Sequence, residues 1–183
     1  ARLEKEPGIA VTKTPSVGMQ QFRFNVSRKP YDDTRVRQAI SYAINRRAIV
    51  DNLVSSFARP STGPLTPIMR GYANLGEIPY DPDKAKWHLK KANLGSTAIP
   101  VVVSPAASNS VEMALVMQYA AKQIGLNLDV KRMPADGYWS THWMKHPVGF
   151  GNINARPSAD LALTLFFKSD APWNEAAWKN EKF

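Results

Sequence analysis

Cysteine is absent from the 183 residues. That excludes disulfides, thiolate metal sites and a cysteine nucleophile. Histidine is scarce, with only His88, His142 and His146 present. His142 and His146 have the spacing of one helical face, but Pro147 follows at once and no H-E-x-x-H arrangement occurs. Two solvent-facing histidines are expected, and no metal site. Long apolar runs are also missing. The longest, 99–103 and 161–167, fall far short of the roughly 18–20 residues that a membrane-spanning helix needs. Nucleophile-elbow, phosphate-loop and dinucleotide-loop patterns are lacking, and Gly149-Phe150-Gly151 is too short a fragment to count as one. Nothing in the sequence argues for catalysis or calls for a cofactor.

What is present describes a globular chain. The hydrophobic fraction is 44% and the charged fraction 21%, ordinary values for a packed domain. The length suits one domain. No repeat or low-complexity tract interrupts it. The formal charge is +9, but the cations are scattered (Arg35, Arg37, Arg46, Arg47, Lys84, Lys86, Lys90, Lys91, Lys131, Arg132) and never form a block of like charge. A solvated basic surface is the simpler reading, and a basic nucleic-acid-binding domain is the alternative that a high pI raises. The chain starts at Ala1 with a charged segment and no signal-peptide pattern, so it reads as a processed product or a piece of something longer.

The hydrophobic pattern yields an α/β order. Residues 1–18 hold Pro7, Gly8, Pro15 and Gly18 and read as extended, with a short strand at Ile9–Thr12. Alternation over Met19–Val26 predicts a strand, with Phe22 and Phe24 on one face. Either Asp32 or Asp33 can cap a helix, and Val36, Ala39, Ile40, Ala43, Ile44, Val50, Leu53 and Val54 predict one long helix from about Asp33 to Ser55. Residues 57–80, rich in Pro and Gly, form a long irregular crossing of the kind that is functional or packed across a surface. Asp81-Pro82 opens a helix that Gly95 ends. Ile99–Ser104 is a strand. Asn109 with Glu112 suggests a capping box for a helix ended by Gly125, and Leu126–Arg132 is the next strand. Strand, helix, strand with short joins is a βαβ unit with parallel strands. A short helix runs from Pro134 to about His142, residues 149–157 read as a Gly/Asn loop, and Ser158 caps a last helix. Asp32 and Asp33, although adjacent carboxylates, suit capping better than acid–base work. The aromatic group Tyr138, Trp139, Trp143 and Phe150 suits a ligand cleft and a core equally well.

Three segments resemble one known family. Phe24-Asn25-Val26, then Lys29-Pro30-Tyr31-Asp32-Asp33-Thr34-Arg35-Val36-Arg37-Gln38-Ala39-Ile40 and Ala43-Ile44-Asn45-Arg46, is similar to the signature of the dipeptide/oligopeptide-binding family of extracytoplasmic solute-binding proteins. Gly63-Pro64 with Pro79-Tyr80-Asp81-Pro82-Asp83-Lys84-Ala85-Lys86 resembles a second family segment, and Ile124-Gly125-Leu126 with its strand a third. The resemblance implies a bilobal binding protein, a periplasmic-binding-protein-like fold whose C-terminal lobe is a mixed sheet flanked by helices. It assigns 1–18 to a hinge-proximal segment and 19–183 to that lobe, with the N-terminal lobe and a final return strand lying elsewhere. It implies a monomeric component of an ABC importer, not an enzyme. Such a component works in the periplasm, or outside the cytoplasm on a membrane anchor, and captures a peptide or an opine-like solute for a transmembrane permease.

Peptide-binding members carry W-x-x-D in the ligand loop. Anchored on Pro157, the acid falls on Ile153 and is missing. Another branch carries W-x-G-R-P-x-x-D, which Ile153-Asn154-Ala155-Arg156-Pro157-Ser158-Ala159-Asp160 resembles with Ile for Trp and Ala for Gly. The tail Ser169-Asp170-Ala171-Pro172-Trp173-Asn174 resembles the same branch. Arg156 is therefore the first candidate contact, since a guanidinium offers a bidentate fork to a carboxylate or phosphate. Asn154, Asn152, Phe150, Tyr138 and Trp143 complete the candidate ligand-binding set.

Overall fold

The alternating segment after Gly18 forms strand β1 (Met19–Phe24). Helices α1 (Thr34–Ala43), α2 (Arg46–Leu53) and α3 (Pro82–Ala92) follow. A βαβ unit comes next: β2 (Ala98–Val103), α4 (Ser110–Gln123) and β3 (Asn127–Arg132). Strand β4 (Val148–Ile153) and helix α5 (Ala159–Phe166) complete the order. The structure, a computed structural model, describes residues 2–54 and 57–182. Ser55, the expected end of the first long helix, lies outside the described residues.

The four strands make one mixed sheet in the order β1-β4-β2-β3. β2 runs parallel to β3 in the register Val101↔Val130 and parallel to β4 through Val102↔Gly149. β1 is antiparallel to β4 from Met19↔Ile153 to Phe24↔Val148. One face of the sheet carries Phe22, Phe24, Val148 and Phe150, which join Tyr31, Val36, Ile40, Met117 and Ile124 in the main core. α1 packs on α3, and α4 lies across β2 and β3. Leu65 and Met69 of the long crossing pack with Ala162 of α5 in a second cluster, so that crossing is anchored across a surface, as expected.

Several expectations need correction. The long helix is two helices. Ile44 turns to φ −87, ψ 114, and Asn45 caps the second helix by accepting from the Ala48 N–H. Arg46 then donates from Nη1 to the Ser41 carbonyl at 2.9 Å, closing the frayed end of α1. No strand forms at Ile9–Thr12. Ile9 and Val11 are exposed and no neighbouring strand pairs with them. Asn93, at φ 51, is the left-handed cap of α3, two residues before Gly95. The capping box at Asn109 does not form, because Asn109 is itself left-handed at φ 54 and its side chain makes no capping bond. Buried Ser110 instead donates its Oγ to the Ser104 carbonyl at 2.7 Å and accepts from the Ser104 N–H at 3.1 Å, tying α4 to the end of β2. The expected helix from Pro134 reduces to one wide turn at Tyr138–His142. The largest correction is at 149–157. Its first half is β4, an interior strand between β1 and β2.

Candidate functional site

β2 leads through α4 to β3 on one side, while its other parallel neighbour is β4. This is a topological switch point. In open α/β sheets ligands lie outside the C-terminal strand ends at such a point, because the loops there diverge and leave a crevice. Here those ends are Ser104–Asn109 after β2 and Asn152–Arg156 at the close of β4. Ser104 holds its loop in place: its Oγ donates to the Pro134 carbonyl at 2.9 Å and accepts from the Ala106 N–H.

Arg156 lies just past β4, half-buried. Its guanidinium carbon is 5.3 Å from the Phe166 ring centre and 5.4 Å from that of Trp173. These two rings are themselves 5.4 Å apart. Arg156 Nη1 also donates to the Ala155 carbonyl at 2.9 Å and the Asn154 carbonyl at 3.3 Å. The planar cation is thus seated in an aromatic cradle beside its own loop, an arrangement that fixes the direction of its remaining donors. Asn154 is exposed in the same loop. Asn152 is half-buried and stands opposite Gln20 across the β1–β4 ladder. The Asn152 Oδ1 and the Gln20 Nε2 are both buried without a partner.

The remaining sequence candidates sit deeper. Phe150 and Tyr138 are each 1% exposed and belong to the core. They meet each other, because the Tyr138 Oη donates to the Phe150 carbonyl at 3.1 Å. Trp143 is half-buried, 5.8 Å from Trp139 between ring centres. The structure therefore groups Arg156, Asn154 and Asn152 at the end of β4, and places Phe150, Tyr138 and Trp143 behind them as packing. His142 and His146, expected to face solvent, are half-buried against each other.

One feature of the site escaped sequence reasoning. Gly149 and Gly151 alternate with Val148 and Phe150, so the second face of β4 carries no side chains there. Arg23 and Glu175 occupy the vacated space, with Nε to Oε2 at 2.9 Å and side chains 4% and 2% exposed. Arg23 Nη1 also donates to the His146 carbonyl at 3.0 Å. A methyl on Gly151 would lie 2.2 Å from both Glu175 carboxylate oxygens. Burial raises the Glu175 pKa, while Arg23, Trp143 and Gln21 favour its ionised form. Burial lowers that of Arg23, and Glu175 opposes the fall. This pair pins the segment after α5 across the sheet and so sets Trp173 under Arg156. The signal available in the sequence was the period-two glycines, set aside as a fragment of a loop motif.

Comparison with known proteins identifies a family and supports the fold. The model for bacterial extracellular solute-binding proteins, family 5 (middle region), matches residues 1–175. The glutathione-binding protein GsiB of Escherichia coli is 33% identical over 136 residues, 74% of this chain and 27% of that protein. Its counterpart in Pectobacterium atrosepticum is 32% identical over 73% of the chain and 26% of its own length. The chain thus spans about a quarter of the curated relatives it matches. Among solved structures, the periplasmic binding protein DppA of Helicobacter pylori in complex with the peptide STSA superposes with a TM-score of 0.88 at 23% identity. That match covers 99% of this chain and 37% of DppA. NikA of Staphylococcus aureus in complex with Ni(L-His)2 gives 0.84 at 18% identity, over 99% of this chain and 40% of NikA. At these identities the two structures speak to the fold.

Proposed function

The chain belongs to the bacterial extracellular solute-binding proteins of family 5, and on that premise we propose that it is the C-terminal lobe of a solute-capturing component of an ABC importer. It works outside the cytoplasm, delivers its solute to a transmembrane permease and has no catalytic role. Residues 19–183 form the lobe, and 1–18 lead in from the hinge. The observation that carries the reading is the position of Arg156 at the switch point, with its guanidinium over the Phe166 and Trp173 rings.

That seat favours a solute bearing a carboxylate. A guanidinium held over two rings recognises a planar anion in bidentate fashion better than a flexible ammonium does. Asn154 and Asn152 supply amide donors and acceptors on the same strand end, suited to peptide-like groups. Phe150, Tyr138 and Trp143 pack behind that strand end. A short peptide, a peptide conjugate such as glutathione, or an opine-like amino-acid conjugate has this chemistry. No observation favours the nucleic-acid alternative.

The test is a thermal-shift screen of the full-length protein against short peptides, glutathione, opine-like conjugates and oligosaccharides. A ligand that binds only the native state raises the melting temperature by mass action. A rise with a carboxylate-bearing class, lost in Arg156→Ala, supports the proposal. A rise confined to neutral oligosaccharides, unchanged by Arg156→Ala, contradicts the assigned solute class.

A further inference from the structure

We propose that His142 and His146 form a proton-operated latch that holds the Tyr138–Pro147 segment against the end of β1 and releases it on acidification. The His142 Nδ1 and the His146 Nε2 are 3.4 Å apart. The ring centres are 5.6 Å apart and the ring planes differ by 17°. The difference between those two distances is taken up by one ring radius at each end, so both nitrogens lie close to the line joining the rings. The imidazoles therefore meet edge to edge in nearly one plane, and do not lie face over face. That is the geometry of an N–H···N bridge, with one ring donating and the other accepting.

The chain between the two rings is shaped for the meeting. Met144 sits at φ 60, a left-handed conformation that a side chain of this size adopts only where the surroundings impose it. It reverses the backbone so that His146 returns toward His142. The returning segment docks on the end of β1: the Asn25 N–H donates to the Pro147 carbonyl at 2.7 Å, and Arg23 Nη1 donates to the His146 carbonyl at 3.0 Å. On the other side, the Trp143 N–H closes the wide turn on the Tyr138 carbonyl at 2.9 Å, and the Tyr138 ring lies 6.3 Å from that of His142.

Protons act on this bridge in two stages. The first can be accepted by the donor ring, giving an imidazolium that still donates to its neutral partner, and the bridge survives. The second sets an N–H on both facing nitrogens, and the rings must part. Interacting imidazoles titrate as a pair in separated steps. The surrounding charges deepen the effect. Burial opposes a charge on His146 most, and His142, Arg23 on β1 and Arg28 in the loop after it oppose it as well. Glu175 is committed to Arg23. Lys145, exposed between the two histidines, is a further cation in the segment. A depressed folded-state pKa leaves the latch intact above the ordinary histidine value of about 6.5 and lost as the pH falls below it.

The latch is read without solute, so it and the proposed function fail separately. The experiment is a double-mutant cycle on the full-length protein with His142→Phe and His146→Phe, which keep an aromatic ring and remove the nitrogens. Melting temperatures are measured between pH 8 and pH 5. The expected result is a favourable coupling at pH 8 that is gone by pH 5. Additive singles at pH 8, or a coupling unchanged at pH 5, overturn the proposal. Should a variant fail to fold, histidine-selective nitrogen-15 NMR of the wild type decides. Two separated steps, each moving both rings, support the latch, and two independent titrations near the ordinary value overturn it.

Discussion

Replacing Arg23 by Met isolates the buried charge pair. The substitution keeps an unbranched apolar stem and removes the cation, leaving the buried Glu175 carboxylate, at 2% exposure, with no counter-charge. Removing one partner of a buried pair costs about 3–5 kcal/mol, most of it the price of the stranded charge. The hydrogen bond from Arg23 to the His146 carbonyl is lost as well. For 183 residues a loss of this size lowers the melting temperature by about 6–20 °C. The measurement is urea unfolding of the chain at pH 8, followed by tryptophan fluorescence. pH then supplies an internal check. Burial already raises the Glu175 pKa above 4.5, and loss of Arg23 raises it further. Protonation of Glu175 removes the stranded charge, so the deficit of Arg23→Met is full above the raised folded-state pKa and shrinks as the pH falls toward the unfolded value. Adding Glu175→Met to Arg23→Met should recover most of the loss, because an apolar pair of similar volume is about neutral. A deficit below about 1 kcal/mol, within the range of an exposed ion pair, would refute the reasoning, as would one that does not change with pH.

Two further outcomes follow from local geometry. Gly151→Ala places a methyl 2.2 Å from the Glu175 oxygens and should cost about 1–3 kcal/mol in urea unfolding, a loss largely absent when Glu175 is first changed to Ala. Asn45→Ala removes the side chain that caps α2 and should cost about 1 kcal/mol, with helical circular dichroism of the native state little changed.

The parts of the fold legible in the sequence were those whose local chemistry and burial agree. Asp81-Pro82 both caps and opens α3, and Ser158 caps α5 by accepting from the Leu161 N–H. The β-branched run of β2 and the alternation Leu126, Leu128, Val130 of β3 pair in parallel, as the βαβ pattern implied. The break at Asn45 stayed hidden because the apolar stripe continues in register across it. Val36, Ile40 and Ala43 before the break and Ile49 and Val50 after it are all buried. β4 was hidden because its sequence, Val-Gly-Phe-Gly-Asn-Ile, interrupts its strand formers with two glycines and an asparagine, residues depleted in strands. Glycine weakens a strand unless something approaches its backbone closely, and here the Arg23–Glu175 pair does so from residues remote in sequence. Of the site, the position of Arg156 near the end of a strand was readable from the family segment. Its cradle was not, because Phe166 comes from the far end of α5 and Trp173 from the tail that Glu175 docks across the sheet.

Calorimetric titration of the full-length protein with the best solute from the thermal-shift screen, wild type beside Arg156→Ala, tests the central claim most directly. Loss of a charge-assisted hydrogen bond of about 1.5–3 kcal/mol corresponds to a roughly 10- to 150-fold weaker Kd. The account predicts one solute per protein and a weakening of that order in Arg156→Ala, with the melting temperature of the unliganded variant near wild type. Equal affinity in the two proteins would contradict it.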